Sequence, residues 1–222
     1  VEYCPTCDGG ATFISTQTDP FSLEKRLTLH LDDTTSRVTI EHCVTNKGRA
    51  PLTLASWGIT VVEPGGIAII PQPELGEHPR DFSPNRNLVL WPYTDLADDR
   101  YTFGSRYIFL RQEEERQPTK IGLFHREQWV AYIWENSLFL KSIECIPEAT
   151  YPDAGCNFET FTNSAMLELE SLSPLTTLAP GGSVSHRENW HLFDLSDPVE
   201  IQSEDSLREW LFPFLVQAGY SG

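Results

Sequence analysis

Apolar and polar residues alternate along most of the chain. Leu27, Leu29 and Leu31 oppose Arg26, Thr28 and His30, and Val38, Ile40 and Val44 oppose Arg37, Thr39 and Glu41. Both segments therefore predict strands with one buried face. Turn chemistry at Asp32-Asp33, Asn46-Lys47-Gly48, Pro64-Gly65-Gly66, Asn136-Ser137 and Pro180-Gly181-Gly182 separates the runs. Further strands are predicted near residues 51–62, 66–70, 105–112, 119–124, 127–135, 137–144, 157–162, 165–172 and 183–193. Trp129 to Trp134 is apolar on both faces, which places it between two layers. So many short strands predict an all-β sandwich or barrel.

Two segments break the alternation. Residues 71–104 are rich in Pro, Asn, Asp and Arg and predict a long loop, a feature of functional sites in compact domains. At the C-terminal end Leu207, Trp210, Leu211, Phe214, Leu215 and Ala218 recur at helical spacing behind a Ser203 cap, with Glu204 and Asp205 at the positive end of the dipole. Pro213 predicts a kink there, or a division into two short pieces.

Composition narrows the function classes. The 222 residues allow one large domain or two small ones, and 40% hydrophobic residues can bury a sizeable core. A formal charge of -16 repels nucleic acid and anionic membrane, so a small neutral or cationic ligand is expected. No apolar run is long enough to span a bilayer. Five cysteines, an odd number at low density, fit reduced thiols in a cytoplasmic setting better than a disulfide framework. Cys4 and Cys7 have C-x-x-C spacing, but no second ligand pair accompanies them, and no metal site is expected.

The candidate chemistry centres on Leu167-Glu168-Leu169-Glu170. With the leucines facing a core, Glu168 and Glu170 share the other face, ~6.5–7 Å apart at the backbone. Adjacent carboxylates raise one another's pKa and can furnish a general base; a polar face turned to water is the competing reading. Glu159, Asp153 and Lys141 are candidates for the same cleft, and His42 falls on an apolar strand face as a core histidine. In the long loop, Arg86, Trp91, Tyr93 and Arg100 mix aromatic and planar polar groups that suit sugars, and Trp57 adds a further indole. The same Trp-Pro-Tyr stretch could instead pin the loop to the core.

Taken together, Asn46-Lys47-Gly48 leading to Pro51–Trp57, Leu167–Glu170 leading to Leu178-Ala179-Pro180-Gly181, and Glu188-Asn189-Trp190-His191-Leu192 resemble the galactose mutarotase-like (aldose 1-epimerase) superfamily. Leu90–Thr94, Leu138–Lys141 and Tyr151-Pro152-Asp153 are most similar to an uncharacterised bacterial branch, the domain of unknown function DUF4380. The resemblance implies an antiparallel β-supersandwich with a sugar cleft, carrying here a short C-terminal helix. It implies a glutamate base acting on the anomeric hydroxyl, matched in position by Glu168, with Glu170 where a glutamine stands in mutarotases. The histidine that protonates the ring oxygen has no counterpart, because Trp57-Gly58 occupies that region; His78, His42 and Lys141 are the available substitutes. Members of the superfamily begin upstream with further strands, which implies that residues 1–222 form one domain lacking its N-terminal strands.

Three classes of function follow. A carbohydrate isomerase would use Glu168 as base and need no cofactor. A sugar-binding module would keep the cleft without turnover. A glycoside-cleaving enzyme would use Glu168 and Glu170, although carboxylates on one strand flank a bond from one side only. The expected partner in each case is a small, neutral carbohydrate.

Overall fold

In a computed structural model, residues 1–6, 9–15, 20–197, 199 and 201–220 are described. The first strands are β1 (Glu2–Pro5), β2 (Ala11–Ile14), β3 (Leu23–Leu31), β4 (Val38–Asn46), β5 (Leu52–Leu54) and β6 (Trp57–Val62). There follow β7 (Ile67–Pro71), β8 (Val89–Leu90), β9 (Tyr101–Phe103), β10 (Tyr107–Arg111), β11 (Thr119–Leu123) and β12 (Trp129–Trp134). The chain ends with β13 (Ser137–Ser142), β14 (Phe158–Thr162), β15 (Leu167–Leu172), β16 (Thr176–Leu178), β17 (Ser183–Asp194) and the helix α1 (Glu204–Gln217).

These strands build an antiparallel ten-stranded sheet in the order β1-β2-β3-β4-β17-β13-β12-β7-β10-β9 and a five-stranded sheet in the order β6-β15-β14-β11-β8. Alternation decides how they stack. Leu167, Leu169, Phe158, Ile121 and Leu123 point from the small sheet onto Ala68, Ile70, Ile108, Leu110, Val130 and Tyr132 of the large one. Each fully buried Leu or Phe there contributes about 1.5–3 kcal/mol of transfer free energy. Residues alternate with these on the far side of the large sheet, where Ile69, Phe109, Trp129, Ala131 and Ile133 meet Leu207 and Leu211 of α1. Strand β12 thus lies between two apolar layers.

Three details differ from the sequence expectations. The run 51–62 is divided into β5 and β6, which belong to different sheets. Helix α1 is a single helix through Pro213, held by its packing and by a Ser203–Ser206 capping box. Residues 71–104 are not structureless but carry β8 and β9, one added to each sheet. Of the C-x-x-C pair, Cys4 is an exposed free thiol, and Cys7 lies outside the described residues. Among the described residues no helix is long and apolar enough to cross a membrane.

Candidate functional site

The outward face of the small sheet carries a charged cluster. Leu167 and Leu169 are fully buried inward, which turns Glu168 and Glu170 outward on β15. Glu159 of β14 stands directly across from Glu170 in the register. Lys120 of β11 reaches between them, with Nζ 2.7 Å from Glu159 Oε2 and 2.8 Å from Glu170 Oε2. The indole Nε1–H of Trp57, at the start of β6, donates to the same Glu170 oxygen at 2.7 Å. Two rings also flank the ammonium, Trp57 at 5.1 Å and Trp91 at 4.8 Å. Trp91 fits because residue 122 is glycine: a Cβ there would lie 3.1 Å from the indole ring and 2.5 Å from Cys156 Sγ.

Burial decides the protonation chemistry. Glu170 is 0% exposed and Glu159 1% exposed, so Glu170 is not the water-facing carboxylate its alternation allows. Burial drives the Glu159 carboxyl up to about 7, against the opposing pull of Lys120, with the Glu170 and Asp153 carboxylates adding to the rise. Burial also raises Glu168, reinforced by Glu170 and opposed by Lys120. For Lys120 burial acts downward, but hydrogen bonds to the two glutamates prevail and raise it. The Oε1 atoms of Glu159 and Glu170 are buried without hydrogen-bond partners. Glu168 is only half-buried, and the exposed rings of Trp57 and Tyr93 flank the cluster; the Tyr93 hydroxyl is raised by burial and feels all three carboxylates and Lys120.

Not every sequence candidate converges here. Trp57, Trp91, Tyr93, Asp153, Glu159, Glu168 and Glu170 do. Arg86 donates to the carbonyls of Pro73 and Ser105 and so ties down the long loop. Arg100 is 1% exposed and held by Asp98 and the Gln117 carbonyl, which leaves it unable to meet a ligand. His78 is exposed on the loop against Phe82.

Lys141 is also outside the cleft. It is 0% exposed between the sheets, with Nζ 2.8 Å from Glu188 Oε1, 2.8 Å from the Leu169 carbonyl and 2.9 Å from Thr60 Oγ1. Its strand face is the apolar one, and burial there is offset by an ion pair rather than by reaching a ligand. Burial would raise Glu188, but Lys141, His42 and Ser171 outweigh it and hold the carboxylate at about 2. His186, which meets Ser171 Oγ at 2.7 Å through Nε2, is pulled by burial down to about 4. His42 lies 3.7 Å from Glu188 and leaves its buried Nε2 without a hydrogen bond.

Sequence reading missed Lys120. One lysine in Thr119-Lys120-Ile121-Gly122-Leu123 looks like a solvated residue, and only the lack of any other polar face on β11 hints otherwise. Among the described residues no group of His, Cys, Asp and Glu is arranged to hold a metal ion.

No family model matches the sequence, and no curated protein matches it, so the DUF4380 resemblance gains no support there. Solved structures do match. An Escherichia coli K12 protein provisionally assigned as an aldose 1-epimerase superposes with a TM-score of 0.56 at 13% identity, over 87% of this chain and 68% of that one. A galactose mutarotase-like protein from Lactobacillus casei gives 0.54 at 14% identity, over 86% and 72%. The fold is galactose mutarotase-like. A galactose mutarotase related enzyme from Lactobacillus acidophilus shares it at 11% identity, with a TM-score of 0.52 over 90% of this chain and 73% of that one. At such identities the likeness to the mutarotase-like proteins is one of architecture, and residue roles rest on the geometry above.

Proposed function

We propose that the protein binds a neutral carbohydrate on the outward face of the small sheet, using Glu168 and the exposed rings of Trp57 and Tyr93. The carrying observation is the set of two exposed rings and one half-buried carboxylate around the buried Lys120–Glu159–Glu170 network, to which Trp57 is hydrogen-bonded and with which Tyr93 and Glu168 interact electrostatically. Sugar C–H faces stack on such rings while hydroxyls bond to the carboxylate. Because Lys120 is already matched by two carboxylates, no surplus positive charge invites a phosphorylated sugar.

A second reading, aldose 1-epimerase-type isomerisation, is favoured by one observation: burial raises the half-buried Glu168 above the usual carboxylate range, which makes it a stronger base than an ordinary glutamate. Glu168, the half-buried carboxylate of the cluster, would take the anomeric proton. Glycoside cleavage by Glu168 and Glu170 ranks last, since Glu170 is sealed under Trp57 and Lys120.

Exchange NMR with neutral aldoses separates these readings. Binding without anomeric exchange identifies a binding module; exchange that Glu168→Gln abolishes while binding survives identifies an isomerase using that base. An unchanged exchange rate in Glu168→Gln removes Glu168 from the chemistry, and no binding by any aldose overturns the site.

A further inference from the structure

The carbohydrate face is unbalanced in charge. The groups that bear most on the Tyr93 hydroxyl are one ammonium, Lys120, and three carboxylates, Glu170, Glu159 and Glu168. Lys120 is already engaged, with Nζ 2.7 Å from Glu159 Oε2 and 2.8 Å from Glu170 Oε2. Glu168 is left over. Neither of these bonds involves it, and among the described residues it forms no other ion pair.

Hydrogen-bond donors are short as well. Lys120 Nζ and Trp57 Nε1 both donate to Glu170 Oε2, whereas the Oε1 atoms of Glu159 and Glu170, residues 1% and 0% exposed, receive no donor. The strand register sets Glu168 opposite Phe161 of β14 and Val61 of β6, whose side chains supply none either. A ligand that fits must therefore bring donors and positive charge with it. An ammonium carries three donors, and it is drawn to aromatic faces as well as to carboxylates.

We infer that this face selects an amino sugar, a carbohydrate in which one hydroxyl is replaced by an ammonium that pairs with Glu168 while the sugar ring stacks on Trp57 or Tyr93. The inference rests on the carbohydrate reading above and narrows it: neutral sugars use the same rings and carboxylate, and the ammonium adds the charge that the face lacks. Lys120 repels an arriving cation, but the two glutamates that it bridges offset its charge. Burial and the Glu170 carboxylate raise Glu168 in spite of Lys120, so the ammonium supplies a counter-charge where the carboxylate is short of one.

The test titrates matched sets into the 222-residue chain at pH 7: glucose, glucosamine and N-acetylglucosamine, with the corresponding galactose and mannose sets. In at least one set the amino sugar should bind about 5-fold or more tightly than its neutral parent, and the N-acetyl derivative should show no such gain. Glu168→Gln should then reduce the preference to less than about 2-fold. Parity in every set whose neutral member binds overturns the inference and leaves the carbohydrate reading standing. A preference that survives Glu168→Gln, or that the N-acetyl derivative matches, also overturns it, because the face would not then be reading the ammonium charge through Glu168. Failure of every neutral and amino sugar to bind overturns the carbohydrate reading, and the inference with it.

Discussion

At the scale of single residues, the decisive group is Lys120. It neutralises two buried carboxylates at once, so its removal leaves like charges facing one another in a poorly solvated site. Lys120→Met should lower stability by about 3–5 kcal/mol at pH 8. The deficit should shrink by pH 5, where Glu159 takes up a proton; urea unfolding at both pH values measures it. Gly122→Ala should be milder for stability yet displace Trp91 and weaken carbohydrate binding, a pairing that calorimetry and unfolding can separate. Histidine gives the opposite pH limb. Burial pulls the imidazole of His125 from 6.5 to about 4, with its Trp129 carbonyl contact opposing. The folded state therefore binds fewer protons than the unfolded state between those values, and stability falls as pH drops from about 6.5 to 4. His125→Gln should flatten this limb by on the order of 3 kcal/mol. Glu159 acts in the other direction, lowering stability as pH rises from 4.5 to about 7.

At the scale of elements, alternation and turn residues were enough to locate most strands, because a strand with one apolar face declares its register. The carboxylate row on β15 was legible for that reason. What alternation could not convey was coverage: Glu170 alternates like a solvated residue, but Trp57 arrives from another strand and seals it. The same limit applies to Lys141, whose inward face was readable while its partner Glu188, on a strand far along the chain, was not. Short elements such as β8 and β9 were hidden because their pairing, rather than their sequence, makes them strands. Helix α1 is tied to the large sheet by Glu204, whose carboxylate accepts the backbone N–H groups of Ser105 at 3.1 Å and of Arg106 and Tyr107 at 3.0 Å. Glu204→Ala should cost about 1–3 kcal/mol and raise amide exchange across α1 before the sheets are affected.

At the scale of the whole molecule, the sandwich separates its polar work into two places. Inside, Lys141, Glu188, Ser171 and His186 cross-link the sheets where a ligand cannot reach. Outside, the Lys120 network holds Trp57 against Glu170 on the face that also carries Glu168. Carbohydrate binding on that outer face is measured most directly through the Trp57 indole N–H, followed by nitrogen–proton NMR while neutral aldoses are titrated. One aldose should shift that signal along a saturable curve, leave the indole of Trp210 in α1 unmoved, and lose at least 10-fold in affinity in Trp57→Ala. If every aldose leaves the Trp57 signal in place, or if Trp57→Ala binds as tightly as the parent chain, the outer face is not a carbohydrate site.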